Sequence, residues 1–278
     1  MDYLIVNGVE CEPYLTSDYR LMIEKTDDIL NGIKICQKLL NPQKTLIGIE
    51  ANKIDAFNLI KEKAKGTEIE PVLLKIKYPQ GDEKQLISAL THREVPSGKL
   101  PLDVSCVVIN LGTIWSIFKA VVYKMPLIER IVTVSGECIE NPSNLLVPIG
   151  TPISHLIKEC NGFKSEPDKI ISGGPMMGFS FYDLNLPVCK GTSGIIAIKN
   201  EIKNKKTNCI HCGKCVAACP MGLQPLQMYK YIVNSLYDKA NKIGLMDCKE
   251  CGCCSYVCPA HLDLVQSFKL GKKLGRKK

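Results

Sequence analysis

The sequence predicts an α/β protein with a mainly parallel sheet domain, then a small α+β unit, then a module dominated by cysteine. Three observations predict this organisation. Short apolar runs alternate with helical patterns in the first part of the chain, the alternation changes from Ile128 onward, and one cysteine motif occurs twice near the end. Alternating strands and helices usually form a parallel sheet with right-handed crossovers. A chain of 278 residues is also long enough for more than one domain.

The first part reads as four strand and helix pairs. Apolar runs bounded by turn or charged residues predict buried strands at residues 3–6, 46–49, 72–74 and 104–109. Helical patterns are found at residues 26–40, 53–65, 83–90 and 113–122. In the first helix we expect Thr26 to be the cap, and we expect Asn41 and Pro42 to end it.

A different pattern begins after these elements. Strand-like segments at residues 130–136, 145–149, 170–171 and 195–198 surround a short helical segment at residues 153–158. They predict a compact α+β insert of about 70 residues, an ordinary size for a small domain. Residues 199–207 are polar and basic and read as a linker, and one helix is predicted at about residues 224–242. The predicted domains are therefore 1–126, 127–199 and 200–278.

Polar segments follow three of the predicted strands, at residues 7–13, 78–83 and 110–113. Ligands of open parallel sheets bind beside the carboxyl ends of the strands. These segments are therefore the candidate binding site of the sheet domain.

Composition is that of a globular protein, with 45% hydrophobic and 23% charged residues. The first residues do not resemble a signal peptide, and the apolar region 104–122 contains too many polar residues for a bilayer span.

The cysteine count is 15, an odd number, which favours metal-bound thiolates in a reducing cytoplasm over disulfides. The net charge is +8, and a basic tail contributes to it. We expect this tail to be a solvated, frayed end, and we do not expect a nucleic-acid partner.

The cysteine motif has the form C-x2-C-x2-C-x3-C-P and occurs twice. Its cysteines are Cys209, Cys212, Cys215 and Cys219 in the first copy and Cys248, Cys251, Cys254 and Cys258 in the second. Three closely spaced thiolates wrap around one [4Fe–4S] cube, and in proteins with two clusters the cysteine before proline ligates the other cube. The spacing therefore predicts one cluster on Cys209, Cys212, Cys215 and Cys258, and a second on Cys248, Cys251, Cys254 and Cys219.

Zinc is the alternative, but structural zinc sites usually set two cysteine pairs far apart. The additional Cys253 is interpreted as a bystander, because its use would break the spacing of the repeat. His211 is interpreted as a neighbour that sets local polarity, because four thiolates are already available for each cluster.

Seven motifs in order resemble the C subunit of the Rnf electron-transport complex. They are DYLIVNGVECEPYLTSDYRLM, KYPQGDEKQLI, INLGT, PLIERIVTVSG, NLLVPIGTPI, SGGPMMG and the double cysteine motif. The resemblance covers essentially the whole chain. The family is in turn similar to the flavoprotein subunit of respiratory complex I. The resemblance thus implies a partial Rossmann-like sheet domain, a β-grasp (SLBB-like) insert and a helical two-cluster ferredoxin-like domain.

The resemblance also implies site residues in the sheet domain. Asn7 matches a residue that contacts flavin, and Glu10 and Glu12 match acids near the nicotinamide. Gly81, Asp82 and Glu83 match a second loop facing the nucleotide. Asn110 and Thr113 match polar contacts at the flavin phosphate, where Thr113 is expected to open a helix. SGGPMMG is interpreted as a structural turn.

Family members carry a glycine-rich loop similar to GxGGAGFPT before the strand at residues 3–6, and this sequence starts after that loop. Runs of backbone amides of this kind cradle phosphates. Because the sequence starts after this loop, we expect only weak binding of FMN and NADH. The cysteine motif independently predicts two [4Fe–4S] clusters.

The resemblance implies an oxidoreductase subunit that transfers electrons between NADH and ferredoxin in an ion-translocating complex. Its expected partners are integral membrane subunits and ferredoxin or another iron–sulfur or flavin carrier. Its expected place is the cytoplasmic face of the membrane, where it binds peripherally. Two alternatives stay open: a soluble reductase that feeds a cobalamin- or selenium-dependent enzyme, and a ferredoxin-like connector.

Overall fold

The computed structural model describes residues 1–199 and 205–275. These residues separate into two compact units, one formed by residues 1–95 and 100–199 and the other by residues 96–99 and 205–275. The predicted linker lies largely outside the described residues, as do Arg276, Lys277 and Lys278 of the predicted tail. The three domain limits predicted from the sequence stay predictions.

The first unit contains the predicted parallel sheet. Its strands are β1 (Tyr3–Gly8), β2 (Lys44–Glu50), β3 (Ile69–Leu74) and β4 (Cys106–Asn110), in the order β3-β2-β1-β4. Every pairing in this sheet is parallel. Strands β2 and β3 lie on one side of β1, and β4 lies on its other side. The strand order therefore reverses between β1 and β4, and ligands of such sheets bind in the crevice at this reversal.

Helices cover both faces of this sheet. They are α1 (Ser17–Glu24), α2 (Thr26–Leu40), α3 (Ile54–Lys63), α4 (Glu83–Thr91) and α5 (Leu111–Val122). Leu4 and Val6 of β1 face one apolar cluster, which includes residues of α2 and α5. The intervening Ile5 faces a second cluster, which includes Leu86 and Ile87 of α4. Successive side chains of a strand point to opposite faces of the sheet. Because helices cover both faces, every residue in this part of β1 is apolar.

Two predictions about helix starts in this unit are wrong. Thr26 is the first residue of α2 and is not its cap, because its hydroxyl donates to the Met22 carbonyl at 2.6 Å. Thr113 does not open α5, which begins at Leu111 and is capped by Asn110. Helix α1 was not predicted.

The remainder of the first unit is a second, mixed sheet. Its strands are β5 (Glu129–Ser135), β6 (Ser143–Pro148), β7 (Lys169–Ser172), β8 (Phe179–Phe181) and β9 (Gly194–Ile198), in the order β6-β5-β9-β7-β8. Only β5 and β9 pair in parallel. Helix α6 (Ile153–Glu159) packs its apolar side against this sheet. The short strand β8 was not predicted.

The second unit is helical. Its helices are α7 (Lys214–Ala217), α8 (Pro225–Val233), α9 (Tyr237–Lys242), α10 (Cys253–Tyr256) and α11 (Leu264–Gly275). The single helix predicted at residues 224–242 is wrong, because the chain breaks at Ser235, whose φ is 57°. The prediction of a frayed tail is also wrong for the residues up to Gly275, because they belong to α11, whose Phe268 is fully buried. In residues 1–199 and 205–275, no helix combines the length and apolarity needed to cross a membrane.

Candidate functional site

The two cysteine loops of the second unit have the same backbone conformation. His211 and Gly213 of the first loop have φ values of 55° and 75°, and the equivalent Glu250 and Gly252 have 57° and 85°. Each glycine precedes a four-residue helix, α7 or α10. Glycine adopts such angles at little cost, which allows each loop to curl before its helix. The sequence repeat is therefore also a structural repeat.

Each loop curls around a cavity that takes one cysteine from the other repeat. The first cavity is lined by Cys209, Cys212, Cys215 and Cys258. The second is lined by Cys248, Cys251, Cys254 and Cys219. These are the two groups of four that the motif spacing predicts, and Cys253 lines neither cavity.

In the described part of the chain, no group of three or more His, Cys, Asp or Glu side chains is placed to hold a metal ion. A backbone N–H points at one sulfur in each loop, from His211 to Cys209 Sγ and from Glu250 to Cys248 Sγ, both at 3.4 Å. Hydrogen bonds to the ligand sulfurs are a common feature of iron–sulfur sites.

Burial disfavours the thiolate form of three cysteines that line the two cavities. Burial, followed by the neighbouring Cys248, raises the pKa of the Cys254 thiol to about 12. Burial likewise raises the pKa of Cys215 and Cys248. A thiolate at these positions therefore needs a positively charged partner, which the iron ions of a cluster would supply.

The two residues that the sequence excluded as ligands lie at the edges of these loops. Burial, with the adjacent Cys251, raises the pKa of Cys253 to about 12, so Cys253 is a neutral thiol beside the second cavity. His211 lies at the rim of the first cavity, where its Nε2 is 3.1 Å from Lys230 Nζ.

In the first unit, the carboxyl ends of β1 and β4 bring two of the predicted site residues together. Asn7 and Asn110 are register partners in the last pair of these strands. The Asn7 side chain donates to the Gly81 carbonyl at 2.9 Å and accepts from the Val9 N–H at 3.1 Å. The loop after β1 and the loop after β3 are therefore joined at this edge of the sheet.

Asn110 has a structural role in this arrangement. Its Oδ1 accepts from the Gly112 N–H at 2.8 Å, and its Nδ2 donates to Asp18 Oδ2 at 3.0 Å. Asp18, Thr113, Arg130 and Asn110 line a cleft beside the start of α5. Within it, the Arg130 Nε is buried without a hydrogen-bond partner.

Glu10 caps helix α1 from the preceding loop. Its carboxylate accepts from the backbone N–H groups of Asp18 at 3.0 Å and Tyr19 at 3.2 Å. Burial, followed by the nearby Asp18, raises the pKa of Glu10 to about 7. Lys53, which forms a buried ion pair with Glu50 at 3.2 Å, also donates to the Glu10 carbonyl at 3.0 Å.

Glu12 holds the SGGPMMG turn. Its carboxylate accepts from the N–H groups of Met176 at 3.0 Å and Met177 at 2.9 Å. Burial raises the pKa of Glu12, whereas these two hydrogen bonds lower it. A Cβ on Gly174 would lie 2.6 Å from the Glu12 Cβ, so only glycine fits there without displacement. SGGPMMG is therefore a turn that receives a carboxylate from the sheet domain.

The remaining predicted residues surround the start of α4. Asp82 is the cap of this helix and accepts from the N–H of Lys84 at 3.1 Å and of Gln85 at 3.3 Å. Glu83 is exposed in the first turn. Gly81 packs closely on the loop after β1, because a Cβ there would lie 2.6 Å from the Val9 carbonyl oxygen.

Sequence reasoning missed three charged residues at this edge, namely Asp18, Lys53 and Arg130. Asp18 lies in the unpredicted helix α1, and Arg130 comes from β5 of the second sheet. A Lys three residues after a Glu at the end of an apolar strand was the available signal for the pair of Lys53 and Glu50.

Three of the polar groups at this edge hold the loops to one another. The amides of Asn7 and Asn110 donate to Gly81 and Asp18, and the Gly112 N–H at the start of α5 donates to Asn110. The role of these residues toward FMN stays a prediction.

Three family models match the chain. The Nuo51 FMN-binding domain matches residues 1–119, the SLBB domain matches residues 131–180, and the 4Fe-4S dicluster domain matches residues 201–259.

Curated relatives extend the comparison to most of the chain. The C subunit of the proton-translocating ferredoxin:NAD(+) oxidoreductase complex of Clostridium ljungdahlii is 49% identical over 87% of this chain and 53% of its own length. The C subunit of the Na(+)-translocating ferredoxin:NAD(+) oxidoreductase complex of Acetobacterium woodii is 46% identical over 98% of this chain and 62% of its own length. The C subunit of the ion-translocating oxidoreductase complex of Rhodobacter capsulatus is 45% identical over 97% of this chain and 53% of its own length. The chain thus spans about half to three-fifths of these relatives.

Solved structures agree on the fold. An NAD+-reducing [NiFe]-hydrogenase matches in its air-oxidized state with a TM-score of 0.63 and 16% identity, over 86% of this chain and 47% of that chain. An NAD+-reducing [NiFe]-hydrogenase in the H2-reduced state matches with a TM-score of 0.66 and 14% identity, over 99% of this chain and 56% of that chain.

Proposed function

Because the chain belongs to the family of C subunits of ion-translocating oxidoreductase complexes, we propose that it is an electron-transfer subunit of such a complex. Two cavities, each lined by four cysteines from both repeats, are the observation that carries this proposal. Cys209, Cys212, Cys215 and Cys258 would hold one [4Fe–4S] cluster, and Cys248, Cys251, Cys254 and Cys219 would hold the other. The clusters supply one-electron transfer when bound.

The protein contributes the positions of the ligands and the environment around them. The N–H groups of His211 and Glu250 donate to ligand sulfurs and stabilise their negative charge. Apolar side chains of α11 line both cavities, with Leu264 in the first and Phe268 in the second. This lining limits the access of water, which is one of the factors that set the reduction potential of a cluster.

The partners follow from the same proposal. The names of the relatives pair ferredoxin with NAD(+) in a complex that translocates ions. We propose that NADH and ferredoxin are the two redox partners between which the complex exchanges electrons, with integral membrane subunits supplying the ion path. The chain would then bind peripherally at the cytoplasmic face of the membrane. Washing membranes with salt or mild chaotrope should release it, because polar interfaces weaken with ionic strength. Fully soluble protein at low ionic strength, with its membrane subunits expressed, would instead support a soluble reductase.

Metal analysis tests the central claim. Anaerobically prepared protein should contain about eight iron and eight sulfide per chain, the number that two four-iron cubes require. Stoichiometric zinc without sulfide would contradict it.

The substitution Cys258→Ser tests the exchange of ligands between repeats. It should reduce the EPR signal of the cluster on Cys209, Cys212 and Cys215 and leave the other cluster largely intact. Cys253→Ser is the matched control and should preserve both clusters. Selective loss of the cluster on the second loop in Cys258→Ser would show that the assignment is wrong.

A further inference from the structure

The two cysteine loops have the same conformation but different exposure. In the first loop, the five residues from Ile210 to Lys214 are all exposed, including Cys212. In the second loop, none of the five equivalent residues from Lys249 to Cys253 is exposed, and Cys251 is only 8% accessible. Sequence spacing alone treats the two loops as equal, so this difference arises from what packs around them.

Contacts within the second unit explain why the second loop is covered. Lys272 of α11 donates to the Cys248 carbonyl at 2.6 Å and forms an ion pair with Glu250 at 2.7 Å. The Ser97 hydroxyl donates to Asp247, the residue before Cys248, at 2.6 Å. The second loop is thus held from two sides by other segments of its unit.

The rim of the first cavity is basic and partly apolar. Ile210 and Val216 are 68% and 42% exposed. Lys214 is exposed at the end of the loop, and Lys230 of α8 contacts His211. We call these five residues, Ile210, His211, Lys214, Val216 and Lys230, the first-loop rim.

Asp263 is the acidic residue that lies between two residues that line the first cavity, Leu262 and Leu264, and it is paired with Lys206 at 3.0 Å. Asp263 therefore does not neutralise Lys214 or Lys230 of the rim. Four thiolate ligands give an iron–sulfur cluster a net negative charge, so two such carriers repel each other unless one side supplies cations. Basic groups around a redox centre thus favour a partner with an acidic surface.

Building on the proposed function, we propose that the first-loop rim is the docking surface for an acidic, cluster-bearing electron-carrier protein. One electron then moves from the reduced cluster of the carrier, which is oxidised, to the cluster on Cys209, Cys212, Cys215 and Cys258, which is reduced. No proton or group moves in this step. The cluster that Cys248, Cys251, Cys254 and Cys219 would hold would then exchange electrons with this carrier by way of the first cluster, because the second loop is the less exposed of the two.

The test uses the full chain with both clusters and a reduced acidic two-cluster ferredoxin as the probe. Stopped-flow absorbance gives the second-order rate of electron transfer, and calorimetry with both proteins oxidised gives the dissociation constant. For the unmodified chain, both rate and affinity should fall as ionic strength rises. Lys214→Glu and the double variant Lys214→Glu/Lys230→Glu should slow transfer at low ionic strength, the double variant by about tenfold or more, and should weaken the salt dependence.

Lys239→Glu/Lys242→Glu on α9 is the matched control with the same charge change in the same unit. It should alter the rate less than about twofold. Iron, sulfide and EPR signals must be unchanged in all variants, which separates docking from cluster binding. Absence of clusters in the unmodified chain would refute the proposed function and this inference together.

Two outcomes with intact clusters would overturn the docking surface alone. One is equal slowing by the rim and control variants, which would indicate a general charge effect. The other is binding to phosphatidylglycerol vesicles that the rim variants abolish while the ferredoxin rate stays unchanged, which would assign the rim to a membrane surface.

Discussion

The substitution Gly174→Ala tests whether the carboxylate of Glu12 and the SGGPMMG turn depend on each other. The new Cβ would lie 2.6 Å from the Glu12 Cβ, closer than two such carbons can approach. Glu12 must therefore move away from the N–H groups of Met176 and Met177, from which it accepts hydrogen bonds at 3.0 and 2.9 Å.

The expected loss of stability is about 2–3 kcal/mol. Overpacking of this kind costs about 1–3 kcal/mol, and a hydrogen bond to a charged group contributes about 1.5–3 kcal/mol. We use the lower part of these ranges because Glu12 is half-buried. Replacing glycine by alanine also restricts the unfolded chain, which offsets about 0.4–1 kcal/mol.

Urea unfolding followed by tryptophan fluorescence measures this effect in the full chain. The protein has one tryptophan, and Trp115 lies in α5 of the same unit as Glu12 and Gly174. With a urea dependence of about 2–3 kcal/mol per molar, the midpoint should fall by about 1 M. Gly191→Ala is the matched control, because a Cβ there meets no atom within 4 Å. It should change the midpoint little.

A double-mutant cycle decides whether the clash with Glu12 is the cause. In the background of Glu12→Gly, the substitution Gly174→Ala should cost little, since both the Cβ that it meets and the carboxylate that it displaces are gone. The coupling energy should be about 2 kcal/mol. Additive effects, within about 0.5 kcal/mol, would refute the reasoning.

Two further substitutions test the carboxyl edge of the first sheet. Because burial raises the pKa of Glu10 to about 7 from 4.5, the folded state resists its ionisation, so the contribution of Glu10 to stability should be greatest below about pH 4.5 and should fall by up to about 3 kcal/mol as pH rises through 7. Glu10→Gln should flatten this dependence in urea titrations between pH 5 and 8, and an unchanged slope would contradict it. Asn110→Ala should cost about 1–2 kcal/mol by removing the cap of α5, whereas Thr113→Ala should be nearly neutral; equal costs in thermal unfolding would argue against the capping role.

Much of the fold was predictable because the sequence carries local signals for it. The apolar run of β1 and the periodic face of α2 predicted elements that the structure contains. The two cysteine groups were also predictable, because motif spacing is a local property that repeats. The structure brings together the four cysteines of each group around a cavity, although their role as ligands stays a prediction.

The missed elements depend on contacts that are distant in sequence. Helix α1 has no side-chain cap of its own, and Glu10 supplies the capping carboxylate from the loop before it. The break at Ser235 requires a left-handed residue that helical periodicity does not reveal. Helix α11 looked like a charged tail because of the lysines in its sequence, yet Leu264 and Phe268 are buried.

The contacts of the site residues in the sheet domain also could not be predicted from local sequence. Resemblance placed Glu10 and Glu12 near a nicotinamide, and that role stays a prediction. In the structure their carboxylates are engaged with backbone N–H groups of α1 and of the SGGPMMG turn. Those partners lie in an unpredicted helix and in a different sheet, so no local pattern could have shown them.

The crossing of cysteines between the two cavities makes the two repeats depend on each other. Each repeat supplies three cysteines to its own cavity, while Cys219 and Cys258 extend to the cavity of the other repeat. Neither set of four is therefore complete unless both repeats are folded against each other. The two cavities should form in one step, and neither half of the module should keep its set of four when it is separated from the other half.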